Sequence, residues 1–404
     1  MGAESRGGVA GFGKALWRRL PRGLRRAGMT RISAALAPRP DRVPPERSAG
    51  VIVAGEMGGA SGLAESARIL HQVIADHGLS RGTLALGLPG FVDMPQTSLP
   101  PGPALLAVVN APVLPPSLLR LKRDALKGRR VIGFWAWELP AVPPGWAEGA
   151  KFVHEIWAPS RFTASALAPL APGRVTIVPY PIAAIDLPVR GGRADFGLPY
   201  DVFIVTTIFN LASSMVRKNP LGAIAAFRAA FADRRDCLLV LKLSHVEAYL
   251  EDLATIRAAI GEAPNIRLMT ETIPEAQLRG LIGCSDVVLS MHRAEGFGLV
   301  PATAALLGRA VVATGWSGNM DFMEPGAAGL VPYRLVDAVD PRGTYGLAGA
   351  QWAEPDVEAA AALLRQLAGA PAARADMAAA GQALARAKLG AAPLLAALAQ
   401  AGVA

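Results

Sequence analysis

The residues best suited to chemistry concentrate in one stretch, positions 290–323, SMHRAEGFGLVPATAALLGRAVVATGWSGNMDFM. A short run, Asp286–Leu289, leads into it and ends in a polar turn, as a buried parallel strand does. Glu295, Gly296, Phe297 and Gly298 follow, then a helix-like apolar run from Leu299 to Leu307, then a second strand pattern at Ala310–Ala313. A strand–loop–helix–strand unit puts the first loop at the carboxyl edge of a sheet, where open α/β folds bind ligands. Gly296 and Gly298 admit a close backbone approach, and the helix start behind them attracts anionic groups. Glu295 adds an acceptor-only carboxylate, suited to sugar hydroxyls rather than to phosphate. An ordinary βαβ turn with a glycine loop would use the same residues, so the support has to come from elsewhere in the chain.

Some of it comes from Arg217 and Lys218, which directly precede Asn219, Pro220 and an apolar helical run. Asn219 and Pro220 suit a helix N-cap and first helical position. Two cations at a helix start oppose its dipole and call for a compensating anion, which a nucleotide diphosphate would supply. A solvated basic turn is the plainer alternative. Earlier still, the strand pattern Val51–Ala54 runs into a loop containing Gly58, Gly59 and Gly62, followed by a helical pattern over Leu63–Ile74. The loop lacks the G-x-G-x-x-G order of a dinucleotide site.

Together these residues resemble the donor-site signature of bacterial family-4 glycosyltransferases (glycosyl transferases group 1), enzymes of the GT-B fold. The family pattern is Glu, then Gly-Phe-Gly-Leu, then a second Glu eight positions after the first. Here the first is Glu295, but the second position is Thr303, which offers a hydroxyl of shorter reach where the family usually holds the ribose. The resemblance implies an α/β chain of two Rossmann-like, doubly wound domains facing an interdomain cleft. It implies Arg217 and Lys218 as the diphosphate-binding pair and Glu295 as the carboxylate that orients and stabilises the donor sugar. Gly58, Gly59, Gly62, Gly296, Phe297, Gly298, Leu299 and Thr303 would then contact the donor, and Thr270–Thr272 would seat its base. The segments IGFWAWELP and HEIWAPSRF resemble first-domain motifs of the same family and carry Trp135, Trp137, Glu138 and His154, candidate acceptor or cleft residues. His292, just before Glu295, is a further pocket candidate, with a plain turn over Ser290–Arg293 as the alternative. For the indoles core packing is the competing reading, and for a lone histidine a structural role. TGWSGNMDF stands where the family more often has Gly-Gly-x-x-Glu; Ser317, Gly318, Asn319 and Asp321 offer polar contacts there.

The elements that must position these groups follow from periodicity. Further strand patterns lie at Thr83–Leu86, Leu105–Val109, Val131–Phe134, Glu155–Ala158, Val175–Val178, Val202–Ile208, Cys237–Leu243, Ile266–Met269 and Ala328–Val331. Helical stretches between them predict mostly parallel sheets. The expected organisation is a basic leader at 1–47, an acceptor-side domain at 48–185, a Gly/Pro-rich linker at 186–200, a nucleotide-sugar domain at 201–385 and a terminal helix at 386–404.

Composition agrees with this frame. The chain has 404 residues, 52% of them hydrophobic and 18% charged, enough for two buried cores and too apolar for disorder. Its two cysteines, Cys237 and Cys284, form no disulfide framework or zinc spacing, which suits a reducing, cytoplasmic setting. No apolar run reaches the roughly 18–20 residues of a membrane span, and no secretory signal core is evident. No Asp-x-Asp motif occurs, so the expectation is a site with no metal and no cofactor, taking a UDP- or GDP-linked sugar as substrate. The net charge of +9 is partly gathered before Arg47, where Leu16, Trp17, Leu20 and Leu24 interleave with arginines. This leader reads either as a surface element attracted to anionic lipid, peripheral at the inner face of the membrane, or as a solvated tail. No nucleic-acid-binding module accompanies the charge. The expected partners are the nucleotide-sugar donor and a glycan or lipid-linked acceptor.

Overall fold

A computed structural model describes residues 32–59, 61–87 and 99–404. Most of the basic leader, including Leu16, Trp17, Leu20 and Leu24, lies outside the described residues. The first sheet consists of β1 (Val51–Gly55), β2 (Ser80–Ala85), β3 (Ala104–Val108), β4 (Val131–Phe134), β5 (Glu155–Ala158) and β6 (Val175–Ile177). Its order is β2-β1-β3-β4-β5-β6, with every pairing parallel. The second sheet consists of β7 (Phe203–Asn210), β8 (Cys237–Ser244), β9 (Ile266–Met269), β10 (Val287–Ser290), β11 (Ala310–Thr314) and β12 (Gly329–Val331). Its order is β12-β11-β10-β7-β8-β9, again all parallel. The continuous apolar runs explain this: β1, β3, β4 and β11 are buried along their whole length, as strands covered by helices on both faces must be.

A two-stranded antiparallel hairpin, β13 (Tyr333–Asp337) and β14 (Gln351–Pro355), follows β12 and was absent from the sequence-based pattern. Its first strand is mostly exposed, and the 338–350 loop is rich in glycine, so neither burial periodicity nor a tight turn announces it. Trp352 on β14 is nevertheless buried, and Leu347 and Ala350 of the loop join the core beneath the first sheet.

The two halves share a core as well as a chain. Phe134 and Tyr180 from the first half stack at 5.2 Å, and Tyr180 meets Phe297 of the second half edge-on at 4.9 Å. After the helix Pro371–Lys388 the chain crosses back: the helix Ala392–Gln400 packs into the core that holds Val51 and Ile69. Residue Ser48 bridges to Val403, and the Ser48 N–H donates to the Gly402 carbonyl at 2.8 Å.

The Gly/Pro-rich connection is held down rather than free. Arg193 donates to the carbonyls of Cys284, Pro199, Tyr200 and Val202 and pairs with Asp286 at 3.0 Å. The same segment presses on the helix Glu275–Cys284 at Gly280, where an added Cβ would lie 1.9 Å from the Arg190 carbonyl oxygen. Gly283, one turn on, has only a Val189 methyl at 3.9 Å. Gly280→Ala is therefore expected to lower the melting temperature by about 4 °C or more, whereas Gly283→Ala leaves it unchanged or raises it slightly. Thermal denaturation of the two single variants checks the contrast.

Candidate functional site

Parallel topology places the chemistry-bearing loops at two facing carboxyl edges. Gly58, Gly59 and Gly62 follow β1, Glu138 follows β4 and Ser160 follows β5; Arg217 and Lys218 follow β7, Glu295 follows β10 and Ser317 follows β11. The edges meet. The Ser160 hydroxyl donates to the Gly296 carbonyl at 2.6 Å, and the Thr163 hydroxyl reaches the same oxygen at 3.1 Å and the Trp137 carbonyl at 2.9 Å. Gly296 is glycine for a reason, since a Cβ there would stand 3.0 Å from the Trp137 carbonyl oxygen. Asp321 accepts from the Arg161 backbone N–H at 2.8 Å and from its guanidinium at 3.1 Å. Farther along, Arg279 reaches across to Glu65 at 3.4 Å, and Gly62 faces Leu299, whose methyl lies 3.8 Å from the glycine's would-be Cβ.

The glycine loop after β1 is pinned from its own side. Arg68 donates to the carbonyls of Met57 and Gly59 at 3.0 and 2.8 Å and pairs with Glu65 at 2.7 Å. Ser61 caps the helix Gly62–Asp76 by accepting the Ala64 N–H. Gly58 has open space where a side chain would project.

At the centre lies Arg217, only 2% exposed. Its guanidinium approaches Glu295 Oε2 at 3.3 Å, donates to the Ala294 and Ser213 carbonyls at 2.7 and 3.0 Å, and stands 3.8 Å from Glu138 Oε1. Lys218 pairs with Glu295 Oε1. The Glu295 backbone is held as well: its N–H donates to the Ser317 hydroxyl at 2.8 Å, and its carbonyl accepts the Gly318 N–H at 2.9 Å. Asn219 adopts the left-handed conformation, caps the helix Pro220–Phe231 through the Gly222 N–H, and so ends the short helix Met215–Lys218. The cation pair thus closes one helical turn instead of opening the next helix. At a helix end the dipole favours both cations, so no opposing dipole calls for an outside anion, and Glu295 pairs with both from within the chain.

Burial alone would push the Glu295 carboxyl upward, but Lys218 and Arg217 outweigh it and hold the group at about 2. Lys218 moves down, because burial and the Arg217 charge act against its own attraction to Glu295. Arg217 moves up under Tyr345, Glu295 and Glu138, despite its burial. The downward shift of Lys218 and the deep shift of Glu295 pull in opposite senses for one ion pair. Arg217 resolves this, since a guanidinium stays charged at any working pH and keeps Glu295 ionised whether or not Lys218 carries its proton.

Several sequence-based candidates land differently. Trp135 is fully buried beside Gly133, and Trp137 is 5% exposed, with its indole N–H bound to the Ala141 carbonyl at 2.8 Å. Both pack against Trp146, so they are core and not a stacking platform. His154 precedes β5 and sits at the opposite, amino edge of the first sheet, bonded to the Val131 N–H and the Asp41 carbonyl. His292 has no exposed surface: its ring is bonded by Ser290, the Trp316 carbonyl and Asn319, and burial lowers its pKa, so it braces the loop from behind. Phe297 is likewise inward, packed on Tyr180 and Phe322. Glu138 keeps a partly exposed carboxylate in the site. Thr303 is half-buried on the helix Leu299–Leu306, and Gly298, at φ 100°, caps that helix. Lys242, nearly buried, donates to the Glu271 carbonyl at 2.6 Å and so fastens the 270–272 loop. Among the described residues no group of three or more His, Cys, Asp or Glu side chains is placed to hold a metal ion. No described helix is long and apolar enough to cross a membrane.

Tyr345 is the residue that sequence reasoning missed altogether. It lies in the 338–350 loop, 5% exposed, with its ring beneath Arg217 and its hydroxyl on Glu138 at 3.2 Å. Surrounded by glycines, it carried no periodic signal; the only cue was a lone aromatic residue in a stretch otherwise suited to a linker.

The Glu295 pair sets a pH dependence. Its carboxyl falls from an ordinary 4.5 to about 2 on folding, so its stabilisation is complete above about pH 4.5 and is lost as pH drops toward 2. Glu295→Gln, which leaves Arg217 buried against a neutral amide, is expected to cost on the order of 2 kcal/mol at neutral pH. The same variant should flatten the acid limb of the stability curve, read by urea denaturation at several pH values between 2 and 7.

No protein-family profile matches the chain, and no curated protein matches it. Solved structures do. Sucrose-phosphate synthase from Thermosynechococcus elongatus superposes with a TM-score of 0.62 at 14% identity, covering 87% of this chain and 98% of that one. Anabaena Alr3699/HepE in complex with UDP and glucose gives 0.61 at 13% identity, with 87% and 98% coverage. WaaG, a glycosyltransferase involved in lipopolysaccharide biosynthesis, gives 0.55 at 14% identity, with 87% and 100% coverage. Identity this low speaks for architecture alone, and the architecture is plain: the chain has the GT-B fold, two parallel α/β sheets whose carboxyl edges face one cleft.

Proposed function

We propose that this protein is a retaining, metal-independent glycosyltransferase that moves a hexose from a UDP- or GDP-linked donor to a glycan or lipid-linked acceptor. The observation that carries the reading is the meeting of Glu295, Arg217 and Lys218 at the carboxyl edge of the second sheet, opposite the glycine loop of the first. In this reading the donor diphosphate lies between the Lys218 ammonium, the start of the helix Leu299–Leu306 and the backbone of Gly58, Gly59 and Gly62. The leaving group gains negative charge as the glycosidic bond breaks, and prearranged cations and N–H groups stabilise it there. Arg217, too deep to touch a diphosphate in this arrangement, acts by keeping Glu295 ionised. Glu295 accepts from the sugar hydroxyls and stabilises the positive charge that builds on the ring. Glu138, the partly exposed carboxylate contributed by the first half, meets the acceptor.

Membership of the family-4 enzymes, a role in cell-envelope or exopolysaccharide synthesis, and work at the inner face of the cytoplasmic membrane belong to the same proposal. They are supported by the motif resemblance and, for the membrane, by the basic leader. Thr303 favours a second reading, in which loss of the usual second carboxylate leaves a relative that binds sugar nucleotides with weak turnover. A sugar-nucleotide epimerase on this fold is the other alternative, and it would act on the donor with no acceptor present.

The deciding measurement is nucleotide release from UDP-, GDP- and ADP-sugars, with and without a lipid-linked glycan extract. A transferase shows release from one donor, accelerated by acceptor, and Glu295→Gln lowers that rate by about a hundredfold or more. Silence from every donor, with thermal-shift binding retained, sinks turnover and leaves the binding-only reading. In that case Thr303→Glu is the variant expected to raise activity.

A further inference from the structure

Outside the groups already assigned, the feature that bears hardest on the site is Tyr345, together with the loop that delivers it. That loop is fixed to the second half of the chain. Asp340, 8% exposed, accepts the backbone N–H groups of Thr344 and Tyr345 on Oδ2 at 2.8 and 3.1 Å, and that of Arg342 on Oδ1 at 3.3 Å. Arg342 lies 3.9 Å over the Tyr249 ring, donates to the Leu211 carbonyl at 2.6 Å and pairs with Asp252. These ties are far more than a solvent-facing linker needs, and their effect is to set one side chain.

Tyr345 then spans the domain boundary. Its ring centroid is 5.4 Å from the Arg217 guanidinium carbon and 5.4 Å from the Trp137 ring, with Trp352 behind at 6.4 Å. A guanidinium over a buried phenol ring is attracted by the ring's negative face, and most strongly where water is excluded. The hydroxyl donates to Glu138 Oε2 at 3.2 Å, while Glu138 Oε1 faces Arg217 at 3.8 Å. Burial raises the phenol well above its ordinary pKa, so the hydroxyl keeps its proton and acts as a donor. One side chain therefore touches both the cation that governs Glu295 and the carboxylate that the first half contributes.

We propose that Tyr345 is a positioning residue of the transfer site: its ring holds Arg217 against Glu295, and its hydroxyl aims Glu138 at the acceptor. The inference rests on the transferase reading above. It separates the side chain into two parts with different consequences. The ring serves the donor half through Arg217, and the hydroxyl serves the acceptor half through Glu138.

The test uses the full-length protein with Tyr345→Phe, Tyr345→Leu, Glu138→Gln and the Phe/Gln double variant. Affinity for UDP and GDP is measured by calorimetry, and turnover by nucleotide release with the active donor and the glycan extract. Tyr345→Phe keeps nucleotide affinity within about twofold but lowers kcat by about tenfold, the rate equivalent of one hydrogen bond to a charged group. Tyr345→Leu also raises the KM for the active donor sugar about tenfold, and Phe at the same position restores it. The hydroxyl acts through Glu138, so the double variant is no slower than the slower single variant. Wild-type turnover in Tyr345→Phe, or losses that multiply in the double variant, would overturn the proposal. Should Tyr345→Leu fail to fold, the Phe/Gln cycle decides alone. A wild-type protein that neither binds nor consumes any donor refutes the transferase reading itself, an outcome distinct from an active enzyme whose cycle is additive.

Discussion

Removing the Arg217 guanidinium from water is the constraint that the rest of the site satisfies. A buried charge costs several kcal/mol unless it is paired and its donors are engaged. Here the engagement comes from separate parts of the chain: Ser213 from its own loop, Ala294 and Glu295 from the loop after β10, and Tyr345 from the hairpin loop. Glu138 comes from the other side of the cleft. The guanidinium Nε alone has no partner. Because each donor group points a different way, the cation fixes the relative register of four loops. Lys218 shares Glu295 with Arg217 but can exchange that partner, since its side chain keeps some solvent contact and its charge is less firmly held.

The second organising contact is the Gly296 carbonyl. Two hydroxyls, from Ser160 and Thr163, converge on it, and the carbonyl belongs to the loop that carries Glu295. The first half of the chain thereby bears directly on the backbone next to the carboxylate. Gly318 makes the approach possible from the other side, since a side chain there would meet the Gly296 carbonyl at 2.3 Å. Tight glycine packing and short hydroxyl contacts thus add to the apolar core that the two halves already share.

Much of this was legible in the sequence, and the limits have physical causes. Buried parallel strands are largely continuous apolar runs, so β4 and β5 fall at the positions their pattern predicts. Asn219–Pro220 and Ser160 declare their helix starts because capping depends on local chemistry alone. The side-chain environment of Trp135, Trp137 and His154 was not legible, because whether an aromatic ring faces a cleft or a core depends on what packs over it. The hairpin β13–β14 was hidden for a related reason. Its stability comes from Trp352 and Tyr345 reaching a core built by residues some two hundred positions earlier, and no local pattern records that. That the Arg217–Lys218 pair already has an anion within the chain was not legible either, since Glu295 is distant along the sequence and adjacent only in the fold.

The return of the chain end to its beginning bears on the order in which the molecule assembles. The first sheet holds residues from the front of the chain, yet its supporting core includes Leu394 and Leu398, and Ser48 is bridged to Val403. Synthesis proceeds from the N-terminus, so the first half emerges with part of its apolar surface uncovered and keeps it so until residues 392–403 arrive. Contacts between sequence-distant segments form slowly because a long loop must close first. The second half, complete in its own sheet, can fold while still tethered; the first can finish only once residues 392–403 have been made. The interval between those events is when this protein depends most on whatever keeps nascent apolar surface from associating.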